Sequence, residues 1–272
     1  MFFGTCRFDS GLGHHKFQWV TDTVSNPFFV ILIFCSNFAP LAPGNVSGIP
    51  VWKTLLVQGH TRGASMEQRH IKGVLFDAFG TLCHIESPRL PYRLIMKRWE
   101  KGATDCYQAI MTRDVSLAEF AGEAGLSHEE AAFLEAHVAE ETDSMGLFPE
   151  VPQTLQALRG HGLKIAVVSN LAKPYGAPFL KLLPFDPDAC AFSYEVGARK
   201  PEAPIYRYAW EGLGCAPGEL LMVGDSLQND YQAPRDLGLH ALWLNRKADS
   251  LEGENGHVVH TLQGILGYLG IG

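Results

Sequence analysis

The sequence lacks the features that mark several classes of protein. Its six cysteines form no CxxC pair and are irregularly spaced, which argues against a zinc ribbon, a thioredoxin-like motif and a disulfide framework. Lys and Arg number 22 against 29 Asp and Glu, and the net charge of −7 argues against a main role in binding nucleic acid. The apolar run at residues 28–34 is far shorter than the ~20 residues that span a bilayer. We therefore expect a cytoplasmic protein with reduced thiols that binds neither nucleic acid nor membrane.

Residues 1–65 differ in pattern from the rest of the chain. They show no consistent period, although residues 28–34 could form a buried strand, and they lack the basic segment and cleavage site of a signal peptide. Met66 stands directly before a clear strand pattern. We expect residues 1–65 to be a non-native or disordered extension and Met66 to be the natural start. An accessory segment and a membrane or targeting segment are the alternatives.

Strand-like and helix-like segments alternate from residue 71 onward. Apolar runs bounded by Gly and polar residues predict buried strands, at residues 71–76, 163–168, 219–223 and 239–244. Apolar residues at helical spacing predict helices, at residues 151–159, 203–210 and 230–237. This alternation is typical of an α/β fold with a doubly wound parallel sheet.

One interval, between Cys83 and Phe148, breaks the alternation and contains helical patterns only. The predicted helices are at residues 90–101, 104–111, 117–124 and 129–142. Ser127 precedes Glu129 and Glu130 and is a good N-cap for the last of them. We expect an all-helical cap subdomain at residues 87–147, inserted into an α/β core made of residues 66–86 and 148–272.

Reactive side chains follow three of the four predicted strands. Asp77, Ser169 and Asp225 stand at strand ends, and Lys200 lies in the loop between the second and third strands. Ligands of open α/β sheets bind beyond the carboxyl ends of the strands, so we expect these side chains to converge. Two carboxylates, a hydroxyl and an ammonium can hold Mg²⁺ and neutralise a phosphoryl group, and the carboxylate of Asp77 could attack as a nucleophile.

Four segments in this order resemble the motifs of the haloacid dehalogenase-like hydrolase superfamily. They are at residues 77–82 (DAFGTL), 168–170 (VSN), 199–206 (RKPEAPIY) and 223–230 (VGDSLQND). The resemblance covers about residues 71 to 246. The predicted helical insert is similar to the helical cap of the dehalogenase-like subfamily, and the core is expected to be Rossmann-like.

The resemblance implies a set of metal ligands. Asp77 would be both the nucleophile and a Mg²⁺ ligand. The backbone carbonyl of Phe79 and the carboxylate of Asp225 would be further ligands, and Asp230 would bind directly or through water.

The resemblance also implies the residues that contact the substrate. Ser169 would donate a hydrogen bond to a phosphoryl oxygen, and Lys200 would offset negative charge on the nucleophile and in the transition state. Thr81 and Asn170 are further expected substrate-binding residues, and Thr81 would also support the loop by hydrogen bonding. Gly80 would let the chain turn tightly after the first strand.

Phe79 departs from the pattern of phosphatases in this superfamily. They usually carry a second Asp two residues after the nucleophile, which protonates the leaving group and later activates water, a contribution of ~10²–10⁴-fold in rate. The haloacid dehalogenases have an aromatic residue at this position. A halide leaves without a proton, so the missing acid costs a dehalogenase nothing. Asp225 favours a phosphatase instead. Its carboxylate and that of Asp77 lie at one strand edge and would repel each other unless a cation such as Mg²⁺ lies between them.

The residues therefore favour a Mg²⁺-dependent phosphatase of a small phosphorylated metabolite, with an aspartyl-phosphate intermediate on Asp77. The alternatives are a 2-haloacid dehalogenase, with its ester intermediate on Asp77, another phosphoryl or phosphonyl reaction, and a catalytically weak module that binds phosphate or Mg²⁺. A dehalogenase would need a cap arginine for the substrate carboxylate, and the candidates are Arg89, Arg93 and Arg98.

Overall fold

A parallel six-stranded sheet forms the centre of the molecule. The computed structural model describes residues 70–247 and 257–271. The strand order is β5-β4-β1-β6-β7-β8, and all neighbouring strands are parallel. The strands of this sheet are β1 (Gly73–Phe76), β4 (Lys164–Ser169), β5 (Ala189–Phe192), β6 (Leu220–Gly224), β7 (His240–Leu244) and β8 (Val258–Val259). The predicted α/β fold with a doubly wound parallel sheet is confirmed.

Helices cover the sheet because its strands are apolar on both faces. In β1, Val74 and Phe76 pack into one hydrophobic layer and Leu75 into the other, as the two-residue period of a strand requires. The helices outside the 83–148 interval are α5 (Val151–Gly160), α6 (Lys173–Leu182), α7 (Ser193–Val196), α8 (Ala203–Leu213), α9 (Ala233–Asp236) and α10 (Gly264–Leu269). Within the described part of the chain, none of the helices has the length and apolarity that crossing a bilayer demands.

The interval between Cys83 and Phe148 holds four helices, as predicted, but it is not purely helical. The helices are α1 (Tyr92–Arg98), α2 (Ala103–Thr112), α3 (Leu117–Glu123) and α4 (His128–Asp143). Two short strands, β2 (Cys83–Ile85) and β3 (Met145–Leu147), pair antiparallel at the entry and exit of this segment. Three residues per strand are too few to show an alternating pattern, which is why the sequence did not reveal them.

Serine caps begin two of these helices. Ser127 accepts a hydrogen bond from the backbone of Glu130, whose carboxylate in turn accepts one from the backbone of Ser127. Ser116 and Glu119 form the same reciprocal arrangement at the start of α3. The predicted N-cap at Ser127 is confirmed, and both pairs satisfy backbone groups that a helix start leaves open.

One further prediction needs correction, and helix α6 was not predicted. The segment predicted as one helix at residues 230–237 begins earlier, as a π-helix over Leu227–Gln232, and continues into α9. The sequence also gave no sign of α6, because Pro174, Gly176 and Pro178 all lie inside it. The start at Met66, the extension at residues 1–65 and the strand at 28–34 lie outside the described residues.

Candidate active site

The strand order brings three of the predicted site residues to one edge of the sheet. β1 lies between β4 and β6, with Phe76 in register with Val167 and Val223. Asp77 follows β1, Ser169 ends β4 and Asp225 follows β6. From β1 the chain first adds strands on one side and later on the other. The cluster therefore lies where the direction of strand addition reverses, which is the usual ligand site of open α/β sheets.

Lys200 joins two of the carboxylates in the buried part of this cluster. Its Nζ donates to Oδ1 of Asp77 at 2.8 Å and to Oδ1 of Asp230 at 2.7 Å. Ser169 Oγ donates to the same oxygen of Asp77 at 3.0 Å. All four residues are buried. Among the described residues nothing donates to Oδ2 of Asp77, so one oxygen of this carboxylate is held and the other is left available.

When its three carboxylates are all ionised, this cluster has two negative charges that the ammonium of Lys200 does not compensate. Suitable oxygens of Asp77, Asp225 and Asp230 lie within 4.8 Å of one another. Burial, and then the charges of Asp77 and Asp230, raise the pKa of Asp225 to about 8. Burial also raises the pKa of Asp230 to about 6, although Lys200 opposes the shift. Burial lowers the pKa of Lys200, but the negative charges of Asp230 and Asp77 together have a larger effect, so the pKa of Lys200 is raised overall.

The donor set fits a divalent cation of the Mg²⁺ type. Mg²⁺ prefers hard oxygen ligands, commonly one or two carboxylates together with water and substrate oxygens. The half-buried carboxylate of Asp225 receives a hydrogen bond from its own backbone, and no hydrogen bond reaches it from another described residue. A buried carboxylate without a cationic partner is unfavourable, and a divalent ion would match the two uncompensated charges.

Two glycines make room for these carboxylates. A Cβ at Gly80 would clash with the carboxylate of Asp225, and the φ of Gly80 is +85°. The tight turn predicted at Gly80 is therefore confirmed. A Cβ at Gly224 would clash with the carboxylate of Asp230. Glycine is thus needed at both positions for the close approach of the chain to the acidic side chains, and at Gly80 also for its backbone conformation.

The remaining predicted site residues lie beside the cluster in different ways. Asn170 exchanges two hydrogen bonds with the backbone of Lys200, at 2.7 and 2.9 Å, so its amide positions the lysine loop. The hydroxyl of Thr81 is buried and has no hydrogen-bond partner among the described residues, whereas the backbone carbonyl of Thr81 accepts from Arg246 at 2.8 Å, so this residue supports the loop through its backbone. The ring of Phe79 is buried against Tyr175 and Phe179 of α6, with ring centroids 6.2 and 6.4 Å away.

An arginine beyond the last long strand ties down the loop after Asp77. Arg246 donates to the backbone carbonyl of Thr81 at 2.8 Å and to that of Gly80 at 3.2 Å. Glu150 fixes the guanidinium through a 2.6 Å ion pair, and the ring of Phe148 packs against it at 3.8 Å. No role of Arg246 was predictable from the sequence, because its partners are distant in the chain and only the folded structure brings them together.

A buried glutamate connects the four-helix interval to the sheet domain. Glu141 of α4 accepts from the backbone of Arg89 and Leu90 through one oxygen, at 2.5 and 2.8 Å. Its other oxygen accepts from the hydroxyl of Tyr175 in α6 at 2.5 Å. Because Tyr175 also packs against Phe79, this chain of contacts runs from α4 to the loop after Asp77. Its sequence signal was weak, since Glu141 lies in a run of polar helix residues.

The metal-free protein is expected to lose stability as the pH rises from about 4 to about 8. The folded-state pKa of Asp225 is raised to about 8 and that of Asp230 to about 6, from a usual value of 3.8. Between these limits the folded state binds more protons than the unfolded state, so raising the pH favours unfolding. Thermal unfolding in EDTA between pH 5 and pH 9 measures this, and Mg²⁺ should reduce the slope.

Asp225→Asn is the matched control for this pH dependence. It removes the carboxylate with the higher pKa, so most of the slope above pH 6 should disappear. A melting temperature in EDTA that rises between pH 6 and pH 8 would contradict the burial of an uncompensated carboxylate.

Known proteins resemble this chain in sequence and in fold. Residues 71–238 match the haloacid dehalogenase-like hydrolases. A phosphoserine phosphatase of Thermus thermophilus is 30% identical over 160 residues, covering 54% of this chain and 62% of that protein. A phosphoglycolate phosphatase of Escherichia coli is 38% identical over 103 residues, covering 36% and 39%. The matched segments thus span less than two thirds of the length of these curated relatives.

Solved structures share the fold over nearly their whole length. A HAD phosphatase of Thermococcus onnurineus has a TM-score of 0.53 at 27% identity, covering 74% of this chain and 98% of that chain. The L-2-haloacid dehalogenase of Xanthobacter autotrophicus also has a TM-score of 0.53, at 21% identity, covering 73% and 98%. The second likeness shows the fold alone. With the match at residues 71–238 spanning more than half of its sequence, the chain belongs to the haloacid dehalogenase-like hydrolases.

Proposed function

We propose that this protein is a Mg²⁺-dependent phosphatase that acts on a small phosphorylated metabolite through an aspartyl-phosphate intermediate on Asp77. The observation that carries the proposal is the acidic cluster of Asp77, Asp225 and Asp230, which has three carboxylates but only one ammonium, that of Lys200, to compensate them. A haloacid dehalogenase that works without a metal ion would not need carboxylates in excess of the ammonium of Lys200. The phosphatase names of the two curated relatives support the same choice.

The nucleophile is the carboxylate of Asp77. Ser169 and Lys200 hold its Oδ1, which leaves Oδ2 free to attack phosphorus. As the Oδ2–P bond forms, the bond from phosphorus to the leaving alcohol oxygen breaks, and that oxygen takes a proton from solvent. Water then attacks phosphorus and breaks the Oδ2–P bond, which regenerates the carboxylate of Asp77 and releases phosphate. When bound, Mg²⁺ supplies Lewis-acid neutralisation of the phosphoryl charge.

Lys200 and Ser169 have supporting roles in this mechanism. The ammonium of Lys200 offsets charge on Asp77 and on the transferring group, and Asn170 holds the backbone of Lys200 in place. Ser169 can turn its hydroxyl from Asp77 to a phosphoryl oxygen. Mg²⁺ would be held by the carboxylates of Asp77 and Asp225 and the carbonyl of Phe79, with Asp230 binding directly or through water. Thr81, with its unpartnered buried hydroxyl, is a further proposed substrate contact.

We assign the four helices α1 to α4 to a cap over the site. The β2–β3 ribbon brings the two ends of this segment together, as a two-strand connection to the core. In this assignment the cap comprises residues 87–147, and the core comprises the described residues at 70–86, 148–247 and 257–271. The described cysteines are free, which supports a cytoplasmic location.

Phosphate release from a panel of phosphomonoesters tests this function. The assays use the full chain with Mg²⁺ and with EDTA, and a parallel assay measures halide release from 2-haloacids. Phosphate release that requires Mg²⁺ supports the proposal. Halide release without metal, favoured by the aromatic residue at Phe79, would replace it with a dehalogenase. Tight binding of phosphate without turnover would replace it with a binding module.

The missing acid at Phe79 predicts a strong dependence on the leaving group. General acid help contributes ~10²–10⁴-fold to rate, and the ring of Phe79 cannot supply a proton. We therefore expect p-nitrophenyl phosphate, whose leaving group needs no proton, to exceed alkyl phosphates in kcat by about 10²-fold or more. A series of aryl phosphates with leaving groups of graded pKa measures this. A flat series would show that another group donates the proton.

A further inference from the structure

One half-buried arginine, next to Lys200, makes no hydrogen bond to a carboxylate of any described residue. The structure describes four half-buried arginines. In three of them the guanidinium contacts a carboxylate at 2.9 Å or less: Arg113 with Glu123, Arg159 with Asp188 and Arg246 with Glu150. Among the described residues Arg199 comes no nearer than 3.9 Å to a carboxylate, that of Glu202. Its nearest carboxylate is thus beyond hydrogen-bond distance, and a ligand can supply a direct partner for this half-buried charge.

The cap holds the guanidinium of Arg199 from one side only. Its Nε donates to Oε1 of Gln108 at 2.5 Å, and its Cζ lies 5.4 Å from the centre of the Tyr107 ring. Both partners lie on helix α2. The two terminal amino groups of Arg199 make no hydrogen bond to any residue that the structure describes. The side chain is therefore oriented, and the part of the guanidinium that binds carboxylates in a bidentate way is left open.

Arg199 directly precedes a residue of the reaction site in the chain. The next residue is Lys200, whose Nζ contacts the nucleophile Asp77. Burial raises the pKa of Tyr107, and the charges of Arg199 and Lys200 both oppose that shift, so Tyr107 lies within electrostatic reach of both. The open guanidinium thus lies where helix α2 meets the loop that carries Lys200.

We propose that Arg199, oriented by Gln108 and Tyr107, binds a carboxylate on the leaving-alcohol part of the substrate and so selects phosphorylated carboxylic acids. This inference rests on the proposed phosphatase function, because it names the part of the substrate that does not react. It divides the recognition of one substrate between Lys200 at the phosphoryl group and Arg199 at the carboxylate.

Matched substrate pairs test the proposal. 2-Phosphoglycolate and ethyl phosphate differ by a carboxylate in place of a methyl group, and O-phosphoserine and O-phosphoethanolamine differ by a carboxylate in place of hydrogen. The parent enzyme should prefer the carboxylated member of each pair. Arg199→Gln should lower kcat/KM for the carboxylated members by about 10- to 100-fold, the range of a lost charge-assisted hydrogen bond. It should change kcat/KM for the other members less than about threefold.

Arg113→Gln is the control variant, since Arg113 directly follows α2 but its guanidinium is already paired with Glu123. Arg199→Lys keeps the charge and should retain part of the preference. If Arg199→Gln lowers turnover of both members of a pair equally, Arg199 has only a structural role and the inference is wrong, while the phosphatase function stands.

A binding measurement separates this inference from the proposed function. Calorimetry on Asp77→Asn with Mg²⁺ compares the affinities for 2-phosphoglycolate and ethyl phosphate without turnover. Tighter binding of 2-phosphoglycolate that Arg199→Gln abolishes supports the carboxylate site even if no ester is hydrolysed. Equal affinities would overturn it.

Discussion

Asp77→Asn is expected to lower phosphate-ester turnover by about 10⁴-fold or more while leaving the metal-free protein at least as stable as the parent. The amide of asparagine is a poor nucleophile, so the covalent step is lost. Asp77 is also one of three carboxylates that lie within 4.8 Å of one another, and its removal relieves repulsion at Asp225 and Asp230. Lys200 keeps its 2.7 Å contact with Asp230.

Initial rates with Mg²⁺ and thermal unfolding in EDTA measure the two effects. Asp143→Asn is the control, because this exposed residue at the end of α4 lies outside the cluster. A variant that retains more than a tenth of the parent rate would exclude Asp77 as the nucleophile. A clear loss of stability in EDTA would contradict the repulsion between the carboxylates.

Lys200→Met is expected to lower the free energy of unfolding by about 3–5 kcal/mol in EDTA, because it removes the cation of a buried ion pair and leaves its partners uncompensated. Lys200 is 3% exposed and contacts Asp77 and Asp230 at 2.8 and 2.7 Å. Adding Mg²⁺ should restore part of the loss, since an ion that binds only the folded state stabilises it. Urea unfolding with EDTA and with Mg²⁺ measures both quantities.

The control is Lys173→Met, which removes an exposed, solvent-screened pair with Asp114 and should change stability far less than Lys200→Met. If Lys200→Met does not fold alone, the Asp77→Asn background provides the test. There the same substitution should have a smaller effect, because one of the carboxylates is already neutral. An effect below about 1 kcal/mol in the parent would show that Lys200 does not compensate the cluster.

Local patterns were enough to predict four of the six strands of the sheet and the edge where the site lies. The strands that carry Asp77, Ser169 and Asp225 are continuous apolar runs ending in a polar residue, and in a parallel sheet all such ends meet at one edge. The helices α1 to α4 were visible for a similar reason, since helical spacing and capping residues are short-range signals.

Elements with a weak local signal were missed. Helix α6 contains two prolines and a glycine, and its formation depends on packing of Tyr175 and Phe179 into the core. Strand β5 (Ala189–Phe192) is rich in small residues and is recognisable only by its pairing with β4. In both elements tertiary contacts outweigh weak intrinsic propensity.

The sequence by itself determined the fold class, the strand ends that carry Asp77, Ser169 and Asp225, and the absence of an acid at Phe79. Only the tertiary structure decided that Lys200 bridges two carboxylates, one of them 123 residues away in the chain. It also decided that Arg199 is oriented by Gln108, 91 residues away, with its carboxylate-binding side left open. Residue periodicity reports which side of an element is buried, whereas such pairings depend on how distant segments pack, and no local pattern encodes that.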